Sequence, residues 1–139
     1  MTQIETAKIL AVLTAAYPNT YKSMTPKEAA AAVLVWAGQF ADIEFDIVFM
    51  AVQKAISTSK FPPTVSDVRE KIRELHWEAY DAVQEGLRMG CSAEQLAEYQ
   101  RIYDHTSQYR YNRSGPELRD MLPYTNKALA AGDALEGMS

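Results

Sequence analysis

Two consecutive prolines, Pro62 and Pro63, interrupt a chain that otherwise reads as helix for most of its length. Neither ring supplies an N–H, each clashes with the turn before it, and each pushes the preceding residue toward extended geometry. The chain must halt at Phe61 and restart at Thr64. Thr64 is a good N-cap, and Asp67 falls in the first turn of the new helix, where its charge suits the helix dipole. Phe61 reads as a staple, an aromatic just outside the helix that fixes its entry angle onto the core. This corner sets the order of packing, with short helices before it and one long helix after it.

Three short helical patterns precede the corner. Thr2 with Glu5 forms a capping box, and Ile9, Leu10, Leu13 and Tyr17 share one face of the first helix. Pro18 ends it, and Asn19 to Met24 reads as loop. Thr25-Pro26-Lys27-Glu28 starts a second helix with a cap, a proline at the first helical position and a glutamate closing the box. That helix, to about Phe40, is apolar nearly all round and carries Trp36. A helix with no polar face is expected to be buried, so this one is assigned as the central helix. Asp42 is the expected cap of a third helix, with Phe45, Val48, Phe49, Val52 and Ile56 on its inner face.

After the corner, Val65, Val68, Ile72, Leu75, Ala79, Ala82 and Gly86 keep a three–four rhythm along a fourth helix that stops at Gly90. The stripe shrinks from branched residues to Ala and Gly. The first half therefore packs on the core, while the second half projects or meets a close partner. Trp77, Tyr80 and Leu87 make a separate apolar patch there. Ser92 with Gln95 caps a fifth helix bearing Leu96, Tyr99 and Tyr103, so the chain folds back as an antiparallel hairpin. Helical character lapses after His105. A short helix with Leu118, Met121 and Leu122 is expected after Ser114-Gly115-Pro116-Glu117, and residues 130–139 read as frayed. The fold class is all-α: a compact bundle of about four helices over 1–75, then a helical extension and less ordered arm over 76–139.

The chemistry classes are mostly excluded. The 139 residues contain no phosphate-cradling glycine loop, one cysteine and two well-separated histidines, so no catalytic, cofactor or metal site is expected. His76 falls near the apolar stripe and reads as a packed or half-exposed ring, and Cys91 as a small filler. The acids Glu70, Glu74, Glu78, Asp81 and Glu85 read as a solvated face supported by Arg69, Lys71, Arg73 and Arg88. A net charge of −4 argues against a dedicated nucleic-acid binder. The opening residues lack the basic stretch of a signal peptide, and no apolar run is long enough to span a bilayer, so a cytoplasmic protein is expected. Basic and aromatic residues interleave at Tyr109-Arg110-Tyr111-Asn112-Arg113. That mix can stack bases, anchor a protein partner, or simply cover the core with its tyrosines.

The blocks Ala16-Tyr17-Pro18, Met24-Thr25-Pro26, the Trp36 helix, Ala51-Val52 and Ser59 through Arg69 together resemble the phage helicase loader/inhibitor family over roughly residues 3 to 72. The resemblance implies a small all-helical, non-enzymatic adaptor in DNA replication. Such an adaptor binds a ring-shaped replicative helicase of the DnaB type, restrains it and hands it to an origin-bound initiator protein. Trp36, Phe61, Pro62, Pro63 and Thr64 are then structural. Tyr109, Tyr111, Arg113, Leu118, Met121, Leu122 and Tyr124 are the expected partner contacts. The alternatives are a DNA-binding accessory protein using Arg101, Arg110, Arg113 and Arg119, or a phage assembly protein built on the same bundle.

Overall fold

A computed structural model describes residues 1–111. These form α1 (Gln3–Ala16), α2 (Pro18–Tyr21), α3 (Pro26–Gln39), α4 (Phe45–Thr58), α5 (Val65–Met89), α6 (Ala93–His105) and a 3₁₀ turn, Ser107–Tyr109. The fold is all-helical, and no strand occurs among the described residues. No helix among them is long and apolar enough to cross a membrane.

Local chemistry starts the helices where the sequence places them. The Thr2–Glu5, Thr64–Asp67 and Ser92–Gln95 capping boxes are all formed. Thr25 accepts from the Glu28 N–H at 3.1 Å, but the Glu28 carboxylate takes the Thr25 hydroxyl rather than the cap N–H, so that box is half made. Two starts differ. Pro18 does not open a loop, because it sits at the first position of α2 and chain direction changes at Tyr17. Asp42 does not cap α4. Glu44 holds the cap position without a side-chain bond. Asp42 is drawn instead to the 3₁₀ turn, where its Oδ1 accepts from the Tyr109 hydroxyl at 3.2 Å.

The central helix is α5, not α3. α5 packs against α4, α6 and the 3₁₀ turn, whereas α3 lies chiefly on α1. Only Trp36 is buried along α3, and Leu34 and Val35 are each 57% exposed. Apolar sequence alone does not bury a helix in a small domain, where much of the surface must remain apolar. On α4 the inner face is rotated from the expected one. Ile47, Val48, Ala51, Val52 and Ala55 are buried, while Phe45, Phe49 and Ile56 sit half-buried at its flanks. α4 lies between α1 and α5.

The corner forms, but Phe61 does not staple it. Its ring is 75% exposed, and Pro63 is the buried member of the motif. The turn is held from below: the Tyr17 hydroxyl donates to the Ser59 carbonyl at 2.9 Å, and the Phe61 N–H to Ser59 Oγ at 3.1 Å. Beyond it, α5 and α6 form the hairpin. Gly90 turns in the left-handed region at φ 72°, which favours glycine, and the Cys91 N–H donates back to the Gly86 carbonyl at 3.0 Å. The distal half of α5 thus meets a close partner, and that partner is α6.

Candidate partner-binding surface

Three polar clusters brace the α5–α6 hairpin, within itself or against the bundle, and its outer face is left over from them. The first is Arg69. Expected on a solvated face, it is 8% exposed. Its Nη2 donates to the Gln39 carbonyl at 2.8 Å and to Gln39 Oε1 at 2.9 Å. Its guanidinium lies between two rings, 5.5 Å from the centroid of Phe40 and 5.6 Å from that of Tyr109. A planar, weakly hydrated cation suits such a slot better than an ammonium.

The second is His76, 1% exposed. Its ring stacks on Tyr103 with centroids 4.5 Å apart and meets the edge of Trp77 at 4.8 Å. Thr106 Oγ1 donates its proton to the Ile102 carbonyl at 2.6 Å, so it accepts from His76 Nδ1 at 2.8 Å. Nε2 is then the bare nitrogen, buried without a partner. Burial holds the His76 pKa below the ordinary histidine value, so the ring is neutral near pH 7.

The third is Arg101 on α6, which pairs with Glu44 and Asp46 at the start of α4 and with Glu98 at 2.9 Å on its own helix. The bond to Glu98, with help from Asp46, raises the Arg101 pKa, and the same bond lowers that of Glu98. Glu44 also meets the His105 ring. Nearby, Lys54 of α4 bridges Glu78 at 2.6 Å and Glu74 at 3.7 Å on α5.

The expected partner contacts separate under this geometry. Tyr109 is 5% exposed, its ring against Arg69 and its hydroxyl on Asp42. In this structure it takes the core-covering role, not that of an outward anchor. Tyr111 is 64% exposed, with the Arg110 guanidinium 4.9 Å from its ring centroid. Arg113, Leu118, Met121, Leu122 and Tyr124 lie outside the described residues. The outer face of the hairpin presents Trp77 and Tyr80, each 41% exposed, and Leu87, 63% exposed. The sequence marks these three as a patch but gives no reason to prefer them as contacts. Among the described residues no group of three or more His, Cys, Asp or Glu could hold a metal ion.

Residues 1–69 match the family model for the N-terminal domain of the gp39 family of phage helicase loader/inhibitors. No curated protein and no solved structure matches the chain. The matched stretch covers α1 to α4, the proline corner and the first turn of α5, ending on the buried Arg69. The stretch from α1 to the first turn of α5 thus matches the N-terminal domain of the phage helicase loader/inhibitor family.

Proposed function

We propose that the chain is a non-enzymatic adaptor of phage DNA replication, acting in the cytoplasm of the bacterial host. It binds a ring-shaped DnaB-type helicase, restrains it and passes it to an origin-bound initiator. The observation that carries this reading is the family match over residues 1–69. The fold supports it in kind. The buried polar side chains Arg69, His76 and Thr106 are engaged in holding helices together, and aromatic surface is left on the outside. In this reading residues 1–75 are the scaffold and 76–139 the partner-binding part, with α5 running unbroken through the boundary. Tyr111, Arg113, Leu118, Met121, Leu122 and Tyr124 are the contacts of the arm, and Tyr109 fixes its root.

The DNA-binding reading is weaker. Of its four arginines, Arg101 is committed to three carboxylates, Arg110 lies over the Tyr111 ring, and Arg113 and Arg119 lie outside the described residues. A pull-down with a DnaB-type helicase, combined with its ATPase rate, tests the proposal. Retention at micromolar concentration, with an ATPase rate that falls as the chain is added, is the expected result. No retention and an unchanged rate would refute it.

A further inference from the structure

We infer that the outer face of the α5–α6 hairpin is a docking surface for a basic amphipathic helix of the helicase, an inference that rests on the adaptor reading above. Trp77, Tyr80 and Leu87 are three and seven residues apart, so they line one stripe of α5. The stripe is exposed yet held in place. Trp77 Nε1 donates to the Arg110 carbonyl at 3.2 Å, and the Tyr80 ring lies 5.6 Å from that of Tyr103 on α6. Fixed aromatic rings lose little conformational freedom on binding.

Charge selects the occupant. Glu78, Asp81 and Glu85 run along the adjacent stripe of the same helix. Lys54 engages Glu78, while Asp81 and Glu85 make no ion pair among the described residues. Residues 76–105 hold six carboxylates and two arginines, and one of those arginines is Arg101. The hairpin therefore carries the chain's entire formal charge of −4, and the residues before it and those after it each balance to zero. A second copy would set like charge against like. The chain's own residues 112–139 hold three basic and four acidic side chains, so they offer no positive excess. A partner helix with an apolar stripe edged by lysine or arginine matches both features, laid along the hairpin as a third helix.

The test uses the full chain and a DnaB-type helicase. Asp81→Lys with Glu85→Lys, and separately Leu87→Asp, are expected to weaken helicase binding about tenfold or more, with circular dichroism melts confirming the fold. Wild-type binding should weaken as salt rises. In a Trp36→Phe chain, where Trp77 is the only reporter, acrylamide should quench the free protein and be shut out on binding. Variants that bind the helicase as wild type does would overturn the docking surface and leave the adaptor reading standing. Trp77 already shielded in the free chain would overturn it too. Sedimentation would then tell a second copy from residues 112–139 as the cover. A wild-type chain that ignores the helicase removes the adaptor reading and this occupant with it.

Discussion

Arg69 shows how far a residue's role can lie from its local pattern. Its sequence neighbours Glu70 and Lys71 place it in a charged stretch, yet its partners are Gln39, thirty positions earlier, and Tyr109. Replacing it with alanine removes two charge-assisted bonds and leaves the Gln39 groups and two ring faces uncovered. Arg69→Ala is expected to cost about 2–4 kcal/mol by urea unfolding, and Arg69→Lys to recover little of it. A loss within about 0.5 kcal/mol would mean the slot is not a keystone. His76 makes a second prediction. Its folded pKa lies below the unfolded value, so the folded state binds fewer protons as pH falls. Its contribution is full above the unfolded value near 6.5 and is lost as pH drops through the folded one. Urea midpoints between about pH 7 and pH 5.5 should fall more steeply for the wild type than for His76→Gln. Equal slopes would contradict the neutral, buried ring. The packing of His76 was legible from its place beside the apolar stripe, but its partners and the whole role of Arg69 were not, because they lie about thirty or more positions away.

At the scale of elements, caps and the α5–α6 hairpin were legible, because a turn signal joins neighbours in the chain, while packing between distant elements was not. Caps at Thr2, Thr64 and Ser92 act within three residues, and the sequence names all three. The burial of α3 and the capping role of Asp42 depend on neighbours that arrive later in the chain, and both expectations fail. Phe61 belongs with them. At 75% exposure, Phe61→Ser should change stability by no more than about 0.5 kcal/mol, whereas a true staple would lose clearly more. Gly86 carries the opposite prediction. A Cβ there would lie 2.8 Å from Leu96 Cδ2 and 3.3 Å from Cys91 Sγ, so the taper of the α5 stripe toward Gly is what admits α6. Gly86→Leu should cost about 1–3 kcal/mol in a thermal melt, despite leucine's better helix propensity. An unchanged or raised melting temperature would show that the hairpin tolerates a wider gap.

At the scale of the molecule, the described residues form a bundle with an acidic hairpin fixed to it. The family match ends on Arg69, the residue through which the first turn of α5 grips both α3 and the 3₁₀ turn. Charge divides along the same line, neutral in the scaffold and negative in the hairpin, and the run from 76 to 105 shows it in the sequence alone. A scaffold with its buried polar side chains engaged and an outer aromatic face left open fits a molecule that works by holding another. Sedimentation velocity of the chain mixed with a DnaB-type hexamer measures this most directly. The chain is expected to move with the hexamer at micromolar concentration, and a chain that sediments alone at its own rate would rule the adaptor out.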